Sequence, residues 1–358
     1  MKSILAELDN EDISIESKKK IGKAFKEARI NSKKFTCMLC DEEVSSFCNS
    51  HSIPQFVLKS IADNGKIITT NNFIKFDFFD IEVGLNNTGV FHNICNKCDS
   101  TFFRDYEDVE QISREITQKM MAQISVKNML QNLHKRNVEK KLFEQHIFQF
   151  EEHGPIVSII NKLKEIELDL HEINNDFVRS KKAVEQNSPR FTKIYETRLP
   201  YVVPIASQVS VALVFDLDGK IINDVFSHDP STMMKSIQIA VYPQDNYSII
   251  LLFIENINRF RYKSFLNQFQ KYSNEEKLHL ISNILITYVE DVYFSPKIES
   301  SLLKNEYLKK MARTSTDIIS NSIIIPDREF YNDLYQMFSI ISNFNTPNLL
   351  SEKYSIYR

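Results

Sequence analysis

Residues 35–56 read FTCMLCDEEVSSFCNSHSIPQF. Cys37 and Cys40 form a CxxC pair, and His51 follows eleven residues later inside SHSIP. A second pair, Cys95 and Cys98 in FHNICNKCDSTFF, lies beyond 54 intervening residues. Cys48 is the only other cysteine, and the last 260 residues contain none. A CxxC knuckle turns two thiolates toward one ion, and two knuckles complete a tetrahedral shell. The spacing therefore predicts a structural Zn²⁺ held by Cys37, Cys40, Cys95 and Cys98. Redox chemistry would account for one pair and leave the other unexplained. Cys48 reads as a small buried apolar residue.

Around these knuckles the chain has the composition of a soluble globular protein, with 42% apolar and 25% charged residues. Its 358 residues suit two or three domains. No apolar run approaches a membrane span, and MKSILAELDN lacks the apolar core of a secretory leader. The expected location is the cytoplasm, where thiols stay reduced and no membrane partner is expected. The net charge of −3 gives no global reason to expect nucleic acid. The distribution differs: residues 14–34 hold eight Lys or Arg against two Glu, with Ile21, Ala24, Phe25 and Ala28 at helical spacing. This predicts a basic amphipathic helix over 1–34, either a solvated face or a phosphate-contacting patch.

Hydrophobic periodicity divides the rest. Short β-type runs between turn signals fill 57–92 (GKIITT, FIKFDFF, GVF). From the second knuckle the pattern becomes helical, with Val109, Ile112, Ile116, Met120 and Ile124 on one face. It continues to about residue 150 and resumes after Gly154-Pro155 with Ile156, Ile160, Leu163, Ile166, Leu170 and Ile173. RSKKAVEQNSPRF reads as a polar linker. LPYVVPIA, VSVALVF, KIINDVF, SIQIAVY and YSIILLFI then read as strands joined by turns at Asp218-Gly219 and PQDN. Two helices follow, over about 262–272 and 274–290, the second opened by Ser273 and Glu276 at capping-box spacing. The fold class is α+β: a zinc ββα-type module over 35–110, a helical region over 111–185, and an α+β domain with antiparallel hairpins over 192–358.

At the knuckles, Cys37-Met-Leu-Cys40, His51-Ser-Ile-Pro54 and Cys95-Asn-Lys-Cys98, the last opening a helix, resemble the HNH nuclease fold, a treble-clef ββα-metal unit. The resemblance covers roughly 35–110. It implies an endonuclease hydrolysing DNA or RNA phosphodiesters. In that family the histidine ending the first strand is the general base, a role His51 would take. A Mg²⁺ or Mn²⁺ would be held by a residue on the helix, here Asp99 where the family has His, and by one beside the base, here Ser50. His92 or a carboxylate at Asp105 or Glu107 would complete the set. An asparagine orienting the base would be Asn93 or Asn87. With an appended sensing domain, such a nuclease fits a regulated bacterial defence effector. The competing expectation is a non-catalytic zinc-stapled protein that binds a partner or itself. FDLDGK, around Asp216 and Asp218, resembles the first motif of haloacid-dehalogenase-type phosphatases, but a following strand-like run and Lys220 favour a hairpin turn.

Overall fold

The computed structural model describes residues 15–33, 35–69, 81–150, 156–227, 229–317 and 328–356. The expected strand FIKFDFF and the break at Gly154-Pro155 lie outside the described residues.

Helix α1 (Ile15–Asn31) carries the basic segment. The knuckle region follows with strand β1 (Ser50–His51), helix α2 (Gln55–Ile61), strands β2 (Lys66–Thr69), β3 (Ile81–Gly84) and β4 (Val90–Phe91), and helix α3 (Asn96–Phe102). The helical pattern after the second knuckle is broken rather than continuous: α4 (Arg104–Glu107), α5 (Val109–Arg114), α6 (Gln118–Phe150) and α7 (Ile156–Gln186). Asp108 causes one break, because its carboxylate caps α5 by accepting from the Glu110 and Gln111 N–H groups. On α7 the predicted face is buried at Ile166, but Ile160 is 43% exposed.

Strands β5 (Phe191–Leu199), β6 (Ile205–Val211), β7 (Ile237–Pro243), β8 (Ser248–Glu255) and β9 (Val292–Phe294) complete the strands, with α8 (Lys263–Gln270) and α9 (Asn274–Tyr288) between β8 and β9. Helices α10 (Ser300–Leu303), α11 (Glu306–Asp317) and α12 (Arg328–Phe338) close the described chain. The stretch RSKKAVEQNSPRF, expected as a linker, is mostly the last turns of α7, and neither β5 nor β9 follows from the sequence pattern. β5 is an edge strand of mixed exposure, so no clean alternation marks it.

One antiparallel sheet of seven strands runs β3-β2-β9-β6-β7-β8-β5. Its β2 pairs with β9 through Ile68↔Phe294 and Thr69↔Tyr293. The hairpin between the two knuckles is thus an edge of the same sheet that holds the C-terminal strands, so the sheet crosses the division drawn between 35–110 and 192–358. Every residue of β8 is buried, which explains the unbroken apolar run YSIILLFI: both faces of the strand are covered. Ile250, Leu252 and Ile254 face a core with Phe265, Phe269, Leu280 and Ile284 of α8 and α9. Ile249, Leu251 and Phe253 share the other core with Met120, Met121 and Ile124 of α6 and with Cys37, Ile53 and Phe91 of the knuckle region. At about 25 cal/mol per Å² of apolar area removed from water, two such cores supply the main stabilising term. Ser273 and Glu276 form the expected capping box on α9, with reciprocal bonds of 3.3 and 2.8 Å.

KIINDVF is not a strand. Only an isolated bridge joins Phe215 to Ile221, and Asp216 organises the turn by accepting from the Asp218 and Lys220 N–H groups at 3.0 and 2.9 Å. Gly219 has φ +88°, a conformation that favours glycine.

Candidate metal centre and the neighbouring ββα site

The first knuckle folds because Asp41 adopts φ +58° and donates its N–H to the Cys37 carbonyl at 2.9 Å, reversing the chain after Cys40. The second uses Cys95 as the N-cap of α3, its sulfur accepting from the Cys98 N–H. The backbones meet where Met38 donates to the Asn93 carbonyl at 3.0 Å, and the Cys95 N–H donates to Cys37 Sγ at 3.3 Å. The four sulfurs lie within 4.8 Å of one another, with Cys40 and Cys95 4.0 Å apart. A tetrahedral Zn–S shell at about 2.3 Å separates its sulfurs by about 3.8 Å, so the donors are positioned to hold a metal ion and fit zinc.

Among these thiols Cys37 is lowered, whereas Cys40 and Cys98 are raised. Burial pushes Cys37 up, but backbone N–H groups of Cys40, Cys95 and Leu39 outweigh it and bring it down to about 7. Cys98 is driven up by burial and by the neighbouring sulfurs. Four thiols this close ionise together only around positive charge. Cys48 stands apart as read from the sequence. It is buried, donates to the Ile94 carbonyl at 3.2 Å, and is pushed up to about 12 by burial.

Beside the sulfurs, β1 and β4 pair antiparallel with His51 opposite Val90, and the chain passes from β4 into α3. His51 is half-buried, and its Nε2 lies 3.3 Å from the Leu85 carbonyl. Burial lowers its pKa, with the Leu85 carbonyl working in the opposite direction, so its imidazole is neutral near pH 7.

Asp99 is already engaged. Its Oδ1 accepts from Ser50 Oγ at 2.6 Å and from Lys127 Nζ at 2.8 Å. Lys127, on α6, has a side chain only 1% exposed, and its ammonium also meets Glu107 Oε1 at 3.0 Å and lies 4.0 Å from the Phe103 ring centroid. Burial pushes Asp99 up, but Lys127 and the Ser50 hydroxyl more than offset it, holding the carboxyl below its ordinary range. For Glu107 burial prevails over Lys127 and the pKa is raised.

The remaining candidates point elsewhere. Asn93 donates to the Leu130 carbonyl of α6 at 2.8 Å. His92 meets Asn49 Oδ1 at 2.9 Å. Asp105 pairs with Lys119 at 3.0 Å and accepts from Gln123. Among the described residues, the four cysteines are the only group of three or more His, Cys, Asp or Glu placed to hold a metal. The donors that the HNH resemblance assigns to Mg²⁺ or Mn²⁺ therefore do not fit such an ion as arranged: an internal ammonium takes up the carboxylate. Lys127 was missed in the sequence. The available signal was a lysine three residues after Ile124 and seven after Met120, at the spacing of the apolar residues that face the core.

No family model, curated protein or solved structure matches this chain.

Proposed function

We propose that the chain is a zinc-stapled protein that binds nucleic acid without cutting it, its ββα unit serving as a docking scaffold. The observation that carries this reading is the Lys127 ammonium held between Asp99 and Glu107 at 2.8 and 3.0 Å. A cation built into the fold neutralises the carboxylate that a phosphodiesterase of this shape would need for its metal. The ion in the cysteine cluster is zinc, and its role is to hold the two knuckles together. The surface that meets phosphate is α1. Ala24 and Ala28 bury against Val138 and Leu142 of α6, while Lys19, Lys23, Lys26, Arg29 and Lys33 are exposed. Arg29 and Lys33 also lie close enough to His92 to lower its pKa further, after the larger effect of burial. The basic face is therefore near β4. Each phosphate neutralised by such a residue releases counterions and makes binding salt-dependent.

One observation favours a second reading, the HNH-like endonuclease. His51 sits on β1, paired with β4 just before α3, and the Leu85 carbonyl meets its ring as the orienter of a general base would.

A single experiment separates the two. Zinc-loaded full-length protein is mixed with single- and double-stranded DNA and RNA, with Mg²⁺ or Mn²⁺ present. Binding that weakens steeply with salt, is lost in Lys23→Glu/Lys26→Glu, and comes with no cleavage supports the docking reading. Cleavage abolished by His51→Ala in a folded, zinc-bearing variant establishes the nuclease instead. Absence of binding to all four substrates defeats the docking reading.

A further inference from the structure

Helices α6 and α7 run antiparallel: Ser125 meets Ser180, Arg136 meets Asp169, and Lys140 meets Glu167. Such a pair normally meets through apolar side chains. Here a stretch of the seam is polar and opens into a cavity of about 360 Å³ against β6 and the end of α9. That is within the usual size range of small-molecule sites.

The charges in it do not balance. Glu139, Asp169, Glu172, Asp176, Glu290 and Asp291 line the cavity, against three lining cations, Lys135, Arg136 and Lys162. Six against three leaves a surplus of three negative charges when all are ionised. Lys135 pairs with Asp291 and with Glu290 at 3.8 Å, and Arg136 with Glu139 and with Asp169 at 3.0 Å. Lys162 pairs with Glu165 at 3.1 Å, and Asp176 pairs with Arg179. Glu172 has no ion pair among the described residues. Burial, with Asp169 and Asp176 adding to it, outweighs the Met234 backbone N–H and the Lys235 charge and pushes its carboxyl up to about 7.

A second, independent feature faces it. Gln131 of α6 lines the cavity and is 5% exposed, and its side-chain amide makes no hydrogen bond among the described residues. Polar side chains buried to this extent usually have a hydrogen-bond partner in the protein, and this amide has none among the described residues. Met129, Ile173, Val209 and Met234 supply apolar wall between the polar groups.

We propose that this cavity binds a small extended organic polycation, an alkyl diamine or polyamine. One ammonium would meet Glu172 and another polar end would meet Gln131, with the methylene chain on the apolar wall. Asp169, Glu172 and Asp176 share one face of α7 and span about 10 Å at 1.5 Å per residue, which suits charges spaced along a chain. A metal ion suits it poorly, because among the described residues no three of these carboxylates bring ligand atoms within 4.8 Å of one another.

The test is calorimetric titration of full-length protein, freed of nucleic acid, with spermidine, putrescine and Mg²⁺ at physiological salt. Saturable binding of spermidine at one site per chain is expected. The affinity should fall at least tenfold in Glu172→Gln and in Gln131→Leu, and stay unchanged in Asp245→Asn, an exposed turn residue outside the cavity. Spermidine should also raise the unfolding temperature of the wild type more than that of Glu172→Gln, a readout that checks the variant is folded. The proposal is overturned by absence of saturable binding to both amines, by equal affinity in the cavity variants, or by Mg²⁺ displacing spermidine stoichiometrically. None of these outcomes depends on whether the chain binds nucleic acid.

Discussion

Replacing Lys127 by Met keeps an unbranched side chain only one atom shorter and removes its charge. In the wild type the ammonium bridges Asp99 and Glu107, whose side chains are only 27% and 30% exposed. The variant leaves two carboxylates together with no counter-charge. Removing one partner of a fully buried ion pair costs about 3–5 kcal/mol. Partial access to water and protonation of Glu107, already raised by its burial, relieve part of that. The expected loss at pH 7 is about 2–4 kcal/mol. Its sign with pH follows from the shifts. Asp99 lies below its ordinary value in the wild type, so its contribution is present above that value of 3.8 and is lost as pH falls through the lowered pKa. In Lys127→Met both carboxyls move up, so the penalty is full above their folded pKa values and fades as pH falls. The gap between wild type and variant should therefore narrow from pH 8 to pH 5. Urea unfolding followed by far-ultraviolet circular dichroism measures it, since the chain has no tryptophan. Adding Asp99→Asn and Glu107→Gln to Lys127→Met should recover most of the loss, because no unpaired charge then remains. A Lys127→Met variant within about 0.5 kcal/mol of wild type at pH 7, the scale of an ordinary surface substitution, would show that the ammonium is not the counter-charge argued here. So would a gap that does not change between pH 5 and pH 8.

The purified chain should carry about one zinc by elemental analysis, and Cys98→Ser or a strong chelator should release it and loosen the knuckle region, seen as faster amide exchange at Ile53, Phe91 and Ile94; a fully protected, zinc-free protein would refute the cluster's role. Asp216→Ala should cost about 1–2 kcal/mol, because two backbone N–H groups lose their acceptor, while Asp216→Asn should cost less by keeping Oδ1; equal losses in both would mean that the charge, not the turn, matters.

Much of the fold was legible because the signals were local. The two CxxC pairs named their own cluster, Ser273 and Glu276 marked the start of α9, and PQDN marked the β7–β8 turn, where Gln244 and Tyr247 bond at 2.8 Å. The failures involve partners distant in sequence. KIINDVF has strand composition, but Asp216 and Asn223 spend their hydrogen bonds inside the loop, the Asn223 amide donating to the Leu213 and Lys235 carbonyls at 2.8 and 3.0 Å. The pairing of β2 with β9 joins residues more than two hundred positions apart, and nothing within either segment announces it.

The site shows the same limit more sharply. Asp99 was chosen for its place after the second knuckle, and that place is as expected, in the first turn of α3. What decides its chemistry is Lys127, three helices later on α6, and a carboxylate's metal affinity depends on what else neutralises it. A hard divalent ion would have to displace an ammonium that gains two carboxylates, a hydroxyl-supported geometry and an aromatic face, in a position with almost no access to water. A lysine on the apolar stripe of a helix is therefore informative in itself. Burying an ammonium is tolerated only where anions wait for it, so the stripe containing Met120, Ile124 and Lys127 implied acidic partners on whatever packed against it. Asp99 and Glu107 are those partners, and they are two of the three carboxylates, with Asp105, that the sequence alone offered to a metal.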